Sequence, residues 1–318
     1  MKNVLNKFLW NQHFLIIVWY NKEKKLLRGG VTVFDRIRGL LFDCGIEFSA
    51  PISLRDCVVN RPYLLERAGI DETGSAVIFT IPYHTPSCEA PSRNCSRYAV
   101  SRDYHLFIKE LADTLLPILH EEYPSVRFAL FADHSPIDER DAAARAGLGI
   151  IGKNRLLITE KYSSYVFLGE LITSAPAPST SILPAPPSCE GCNVCLSACP
   201  LASGRITECL SALTQKKGTL SSEEREQIAA YGSVWGCDVC QEVCPHTQKA
   251  LAAGTLTSPI PFFHKEPLPR LTYRRIQDMT DEQFSERAYA WRGRDVILRN
   301  LSVTEQLYER SNGAEERE

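Results

Sequence analysis

Apolar and polar positions along this chain follow two different periods, and the changes between them predict an alternation of strands and helices. A period of two, rich in branched and aromatic residues, predicts strands at 75–83, 126–133, 156–159 and 165–173. A period of nearly four residues predicts helices at 103–122 and 136–146, between those strands. This alternation predicts a domain of the α+β or α/β class.

The same pattern divides the chain into five parts. Residues 1–32 carry an aromatic cluster and a lysine-rich stretch, and we interpret them as an N-terminal extension that need not belong to the native start. A domain at 33–174 ends at a linker, 175–188, which contains five prolines and has neither period. The cysteine-rich part at 189–250 is a second domain, and 251–318 is a helical segment.

The composition indicates the cellular compartment and limits the classes of partner that the protein can bind. The chain has 318 residues, of which 44% are apolar, enough to bury a sizeable core. Eight of its 12 cysteines lie between Cys189 and Cys244 at metal-ligand spacing, which predicts a reducing, cytoplasmic location instead of a disulfide framework. The net charge of −2 gives no global basic field, and the apolar run from Phe14 to Tyr20 is too short to span a bilayer.

The cysteine spacing predicts two 4Fe-4S clusters. The run from Cys189 to Cys199 has the C-x2-C-x2-C-x3-C-P spacing of bacterial ferredoxins, in which three close thiolates hold one cluster and the fourth reaches another. A second run, from Cys237 to Cys244, lacks one close cysteine, which makes Cys209 the obvious supplier. We assign the first cluster to Cys189, Cys192, Cys195 and Cys244, and the second to Cys199, Cys209, Cys237 and Cys240.

Two plainer interpretations of these cysteines stay open at this point. Structural zinc is one, although zinc sites favour isolated C-x2-C pairs without the C-x3-C-P ending. Unrelated buried thiols are the other. The cysteines outside the pattern are expected to be mostly small core residues, and they are Cys44, Cys57, Cys88 and Cys95.

Asp133 stands at the end of a predicted strand, just before a predicted helix. Open α/β sheets place ligands and acids at strand ends, so Asp133 is a candidate proton donor if an apolar site raises its pKa. The local sequence alone favours a different role, in which Asp133 caps the helix that follows.

A glycine run from Gly147 to Gly152 matches the dinucleotide-binding pattern G-x-G-x-x-G. That pattern requires a strand before it and a helix after it, whereas here a helix-like segment precedes and a strand-like segment follows. We therefore expect the glycines to end the helix and to let backbone approach a large flat cofactor, not to bind a nicotinamide.

Several motifs resemble those of the epoxyqueuosine reductases, a family of cobalamin and iron–sulfur enzymes related to the reductive dehalogenases. They are Arg97-Tyr98-Ala99, Asp103-Tyr104-His105, Ala146 to Asn154, Tyr165 to Glu170, Cys209-Leu210-Ser211 and Trp235 to Pro245. The resemblance extends over 33–305, with Ser101 where the family usually has glycine and a shorter connection from Cys199 to Cys209. The chain is expected to be a short form without the HEAT-like repeats that usually follow.

The resemblance implies a fold, a set of cofactors and a set of site residues. The implied fold is a cobalamin-binding α/β domain, then a ferredoxin-like domain with two 4Fe-4S clusters, then a short helical tail. Base-off cobalamin would lie between the two domains without a protein ligand to cobalt, and Asp133 would be the proton donor. The residues implied near cobalamin or substrate are Arg61, Asn154, Ile158, Gly169 and Ser211.

The implied activity is the reduction of epoxyqueuosine to queuosine in tRNA by a monomer that takes electrons from an external donor of the flavodoxin or ferredoxin type. One alternative is a corrinoid reductase of another small molecule, since the sequence shows no dedicated tRNA-binding module. Another is a ferredoxin-type electron carrier, which needs no domain of about 140 residues with an acid at a strand end. Four arginines near the end of the chain are either candidate phosphate contacts or part of a solvated helix face. They are Arg287, Arg292, Arg294 and Arg299.

Overall fold

The computed structural model describes residues 32–178, 189, 191–201 and 209–315, with side chains up to 305. The helices before the cysteine runs are α1 (Val33–Asp43), α2 (Pro62–Ala68), α3 (Tyr104–Glu122) and α4 (Glu139–Arg145). The strands are β1 (Ser49–Ser53), β2 (Ser75–Pro82), β3 (Phe128–Phe131), β4 (Ile150–Ile151), β5 (Leu157–Ile158) and β6 (Val166–Thr173).

After β6, the regular elements of the described chain are helices, which are joined by turns and loops. Within and between the cysteine runs lie α5 (Val194–Ser197), α6 (Leu210–Thr214), α7 (Ser222–Tyr231) and α8 (Val239–Glu242). After them come α9 (Pro245–Ala252), α10 (Tyr273–Asp278), α11 (Asp281–Ser285) and α12 (Arg294–Glu315). No helix in the described ranges has the length and apolarity needed to cross a bilayer.

Four strands form one sheet in the order β1-β2-β6-β3, and every neighbouring pair is antiparallel. Strands β2 and β3 therefore run in the same direction, with β6 inserted between them, and α3 is the crossover that joins them. The predicted alternation of strands and helices is confirmed as a mixed α/β arrangement. The C-terminal ends of β2 and β3 lie at the same edge of the sheet, which positions the segment after β3 there.

Both faces of the sheet are covered by helices. On one face, Val77, Phe79 and Ile81 of β2 belong to a core that also contains residues of α1 and α3. On the other face, Ala76 and Ile78 pack with alanines of α4. All eight residues of β2 are buried, so its continuous apolar run is the pattern of a central strand that is covered on both faces.

The chain beyond the second cysteine run packs back onto its first part. Ile260 and Phe263 join the core that contains α1 and α3. Trp235 and Tyr289 are fully buried in another core, together with Cys95. Val303 packs in a third core with residues of α6 and α7, so the segment predicted at 251–318 contributes to three cores. The N-terminal extension at 1–31 and most of the proline-rich linker, 179–188, lie outside the described residues.

Three of the four C-terminal arginines, Arg287, Arg294 and Arg299, bind backbone carbonyl groups. Arg287, which is buried, donates to the carbonyl oxygen of Glu266 at 2.9 Å. Arg299 donates to the carbonyl oxygens of Lys216 and Gly218 at 2.7 and 2.6 Å. Arg299 thus joins α12 to the segment between α6 and α7, whereas Arg287 and Arg294 bind carbonyl groups within the helical segment itself. The phosphate-contact and solvated-face interpretations of the four arginines stay predictions.

Candidate functional site

Asp133 forms an exposed turn at the edge of the sheet, two residues after the end of β3. Its φ is 63°, in the left-handed region, which costs a residue with a Cβ about 1–2 kcal/mol. The backbone N–H of Asp133 donates a hydrogen bond to Oε1 of Glu139 at 2.7 Å, and this bond helps to hold the conformation. The side chain of Asp133 is 73% exposed, so its carboxyl group is open to a substrate.

Asp138, not Asp133, caps α4. The side chain of Asp138 accepts hydrogen bonds from the backbone N–H groups of Arg140 and Asp141, each at 3.2 Å. The helix-cap interpretation of Asp133 is therefore wrong, because the helix begins six residues after Asp133 and its free N–H groups already have an acceptor.

His105 links Asp133 to a second carboxyl group. Its Nδ1 lies 2.8 Å from Oδ1 of Asp103, and its Nε2 lies 3.7 Å from Oδ2 of Asp133. Asp103 is itself fixed, since its side chain caps α3 by accepting the backbone N–H of His105 at 3.0 Å. The hydrogen bond to Asp103 raises the pKa of His105, and the charge of Asp133 adds to the effect. The imidazole is thus placed to hold a proton beside the Asp133 carboxyl group.

The turn that carries Asp133 is held from the opposite side by the segment at the start of α2. Tyr63 Oη and His134 Nε2 share a hydrogen bond of 2.9 Å. The guanidinium of Arg61 donates to the carbonyl oxygen of Ser135 at 2.9 Å. Arg61, which the family resemblance places near cobalamin or substrate, therefore lies against the Asp133 turn.

An aromatic stack lies next to His105. The rings of Tyr104 and Phe167 are almost parallel, with centroids 4.0 Å apart, and both side chains are half-buried. The ring of Tyr104 also lies 4.2 Å from that of His105. This stack gives the edge of the sheet an apolar surface beside the exposed Asp133 carboxyl group.

The glycine run joins α4 to the β4–β5 hairpin. Gly147, with φ 81°, ends the helix, and a Cβ at Gly149 would lie 2.4 Å from the carbonyl oxygen of Ile158. The order helix, glycines, strand is the reverse of a dinucleotide-binding loop, as the sequence indicated. Asn154 lies in the turn of the same hairpin, so two of the implied cofactor contacts, Asn154 and Ile158, are neighbours.

The remaining implied contacts lie in different places. Gly169 is in β6, where a Cβ would lie 2.6 Å from the ring of Phe79, so close packing requires glycine there. Ser211 is in α6, two residues after Cys209. The hairpin and the first cysteine run are connected, because Lys153 Nζ donates to Oδ1 of Asn193 at 2.8 Å.

The described cysteines of the two runs form neighbouring groups. Burial raises the pKa of Cys195, and three nearby thiols add to it, those of Cys189, Cys244 and Cys192. Burial also raises the pKa of Cys237 to about 11, with Cys209 and Cys199 among the smaller causes. The pKa of Cys240 is raised to about 12 by burial first, and Cys195 of the other group contributes. The two groups are therefore adjacent.

Among the residues that the structure describes, no three His, Cys, Asp or Glu side chains are close enough to share one metal ion. In a 4Fe-4S cluster each thiolate binds a different iron, so the thiolates stand further apart than around one zinc ion. Of the other cysteines, Cys88 and Cys95 are fully buried, whereas Cys44 and Cys57 are partly buried.

Asp238, which lies between two cysteines of the second run, is bound by residues of the first domain. Its carboxylate accepts the backbone N–H of Arg97 at 2.8 Å and the guanidinium of Arg93 at 2.9 Å, and it is also bonded to the hydroxyl of Ser96. Burial raises the pKa of Asp238, and these donors oppose that effect. The network holds the segment from Cys237 to Cys240 against the α/β part of the chain.

We expect Asp238→Asn to lower the free energy of unfolding by about 3 kcal/mol, because breaking a buried charge network leaves groups without partners. The matched control is Asp113→Asn, which breaks an exposed pair with Lys109 and should cost less than about 0.5 kcal/mol. Thermal unfolding of both variants measures the difference. Equal stability of the two variants would contradict the structural role of Asp238.

Comparisons with known proteins assign the family. The model described as epoxyqueuosine reductase QueG, DUF1730, matches residues 67–134, from α2 to the Asp133 turn. Epoxyqueuosine reductase from Gloeobacter violaceus is 33% identical over 218 residues, which are 66% of this chain and 68% of that protein. The chain belongs to the epoxyqueuosine reductase family. Named members of this family are reductases, and hence oxidoreductases. The aligned parts span 45–70% of such relatives, and less than two thirds of most of them.

Two solved epoxyqueuosine reductases share the fold. One is a crystal structure with an epoxyqueuosine-modified stem loop of tRNA-Tyr, at 25% identity and a TM-score of 0.66, covering 86% of this chain and 81% of that one. The other is the Bacillus subtilis protein with its catalytic aspartate loop swung out of the active site. It has the same identity and TM-score and covers 86% and 82% of the two chains.

Two features of the site in this epoxyqueuosine reductase family member are not predicted by its sequence. His105 appeared only as part of a motif, although an Asp-x-His sequence at a predicted helix start is a signal that the two side chains are neighbours. Glu139 was not singled out at all. Nothing in the local sequence shows that its carboxyl group turns back to the N–H of Asp133.

Proposed function

We propose that the protein reduces epoxyqueuosine to queuosine in tRNA, with cobalamin and two 4Fe-4S clusters as cofactors. The observation that carries the proposal is the exposed Asp133 carboxyl group, held on a left-handed turn beside His105 at the edge of the sheet. The relative whose catalytic aspartate loop swings out of the active site supports a catalytic role for this turn. The relative with a modified stem loop supports tRNA as the substrate.

Removal of an epoxide oxygen as water consumes two electrons and two protons. Asp133 is the residue that would protonate the departing oxygen, since expelling an unprotonated alkoxide is costly and a positioned acid is worth about a hundred-fold or more. His105, whose pKa is raised by Asp103, would return a proton to Asp133 after each turnover. The stacked rings of Tyr104 and Phe167 would exclude water from one side of the site.

The donor set suits two 4Fe-4S clusters. Thiolates are the ligands that such clusters require. The thiols near Cys195 are those of Cys189, Cys192 and Cys244, and those near Cys237 include Cys199 and Cys209, which supports the two sets assigned from the spacing. The proximity of Cys240 to Cys195 supports electron passage between the sets. We propose an external one-electron donor of the flavodoxin or ferredoxin type and a reducing, cytoplasmic location, in which thiols stay available for iron.

Cobalamin is proposed to lie between the sheet and the clusters. The amide-rich rim of a corrin ring needs polar partners, and Nδ2 of Asn154 is without a hydrogen bond to any described residue. Arg61 offers donors next to the Asp133 turn, Ile158 lies beside Asn154 in the hairpin, and Ser211 follows Cys209 by two residues. When bound, cobalamin supplies two electrons in a strongly nucleophilic form.

The test compares two tRNA stem loops, one with epoxyqueuosine and one unmodified, with a single anaerobically reconstituted preparation of the protein. The protein should hold about eight irons, four for each cluster, bind base-off cobalamin and reduce an epoxyqueuosine-bearing stem loop. The unmodified stem loop is the control, and it should bind more weakly and not react. Tight zinc in place of iron, or cofactor binding without reduction of the stem loop, would overturn the proposal and favour a corrinoid reductase of another small molecule or an electron carrier.

A further inference from the structure

Glu170 is a fully buried carboxyl group in the middle of β6. It pairs with Phe131 of β3 and Ile78 of β2, and its side chain lies on the face of the sheet that α4 covers. Neither of its carboxyl oxygens has a hydrogen bond of normal geometry within the described residues, although the hydroxyl group of Ser135 lies nearby. An ionised carboxylate in such a place would be strongly unfavourable, so the side chain needs another form of compensation.

The carboxyl group of Glu139 lies within hydrogen-bonding reach of Glu170. Two ionised carboxylates have no donor to share, whereas a proton on one of them creates a donor that the other accepts. Burial raises the pKa of Glu170 well above its usual range, and the nearby charge of Glu139 adds to the effect. The same pair of side chains reaches the active site, since Glu139 accepts the backbone N–H of Asp133 at 2.7 Å.

We propose that Glu170 is a protonated acid that donates its hydrogen to Glu139, and that this pair is the positioning element that holds Asp133 in its turn. A carboxylate that accepts one hydrogen from Glu170 and another from the backbone of Asp133 is fixed at both oxygens. The contribution to catalysis rests on the function proposed above, but the protonated pair itself does not.

No described Lys or Arg side chain near the pair neutralises its negative charge, so a bound proton is expected to do so. The titratable groups near the two carboxyl groups are Asp138 at the cap of α4, Asp133 of the turn, Tyr104 and His105 of α3, and Cys57 after β1. Asp141 and Arg145 of α4 lie near Cys57. Both arginines of α4 have other partners, since Arg145 is bonded to Asp141 at 2.7 Å and Arg140 donates to the carbonyl oxygen of Arg155 at 3.0 Å. Within the described ranges, no Lys or Arg side chain pairs with Glu139 or Glu170.

The pH dependence of stability tests the protonation state in Glu170→Gln. A carboxyl group whose pKa is raised on folding keeps its proton while the unfolded chain loses it, so stability falls as pH rises above about 4.3 toward the folded pKa. Glutamine removes that dependence and keeps a donor. The Tm of Glu170→Gln minus that of the wild type should be near zero at pH 5 and rise by roughly 2 °C or more by pH 8. The exposed control, Glu121→Gln, should show a constant difference.

Two further measurements separate positioning from mere packing. The infrared difference spectrum of the wild type minus Glu170→Gln should show the C=O stretch of a protonated carboxylic acid. Turnover of the epoxyqueuosine stem loop should fall at least ten-fold in Glu170→Leu with little change in KM, and Glu170→Gln should restore it, because the amide still donates to Glu139.

The possible outcomes decide the proposal without ambiguity. A Tm difference that stays constant with pH, or an infrared spectrum without the protonated acid band, would overturn it even if Glu170→Leu does not fold. So would a glutamine variant that loses as much turnover as the leucine variant. A wild-type protein that shows the band and the pH slope but does not reduce the stem loop would retain the protonated pair and reject the proposed function.

Discussion

Replacing Asp133 with asparagine is expected to lower turnover of the epoxyqueuosine stem loop by about a hundred-fold or more. Asparagine keeps the shape of the side chain but has no proton to give, so the departing oxygen would leave as an alkoxide. It also tolerates the left-handed conformation of this turn better than most residues. Cluster content and the cobalamin spectrum, measured on the same preparation, should match those of the wild type.

Asp138→Asn is the matched control for this change. Asp138 caps α4 and stands five positions after Asp133. Asparagine ranks with aspartate as an N-cap, so both stability and turnover should remain close to those of the wild type. Turnover of Asp133→Asn at the level of this control would remove Asp133 from the mechanism. Loss of both activities would instead point to damage to the helix.

Cys244→Ser should remove the first cluster and spare the second, although Cys244 lies next to second-cluster ligands in the sequence. The thiol group of Cys244 is close to that of Cys195 in the first run, and thiolates from both runs are needed to complete each set. We expect the iron content of the reconstituted protein to fall from about eight to about four per chain. Turnover should be abolished, because the chain of electron carriers is interrupted.

Two other variants check the assignment of Cys244. Cys209→Ser should also lower the iron content to about four, but it should remove the other cluster and leave a different paramagnetic resonance signal. Cys44→Ser changes a partly buried cysteine outside both runs and should keep all the iron. Identical remaining signals in Cys244→Ser and Cys209→Ser would show that the two sets are assigned incorrectly.

Much of the architecture was accessible from the pattern of residues. The strands at Ser75–Pro82 and Val166–Thr173 and the helix at Tyr104–Glu122 lie where the periods predict them, because each carries a long and regular apolar pattern. The order of strands was not accessible. The insertion of β6 between β2 and β3 depends on contacts between residues far apart in the chain, which local periodicity does not record.

The same distinction applies to the site. The spacing of the cysteines predicts the class of cofactor, because ligands that are two or three residues apart can reach neighbouring irons whatever the rest of the fold does. Only the tertiary structure excluded a helix-capping role for Asp133. In the sequence, Asp133 stands before a helix and is a reasonable cap, but Asp138 already fills that role in space.

The sequence by itself therefore determined most of the local elements and the family resemblance of this protein, and it predicts which cysteines bind the clusters. Only the tertiary structure decided what surrounds Asp133, namely His105 from the start of α3 and Glu139 backed by Glu170 of β6. The physical reason is that burial and the approach of like charges arise between distant segments, and these two effects, not the identity of a residue, determine where a carboxyl group keeps its proton.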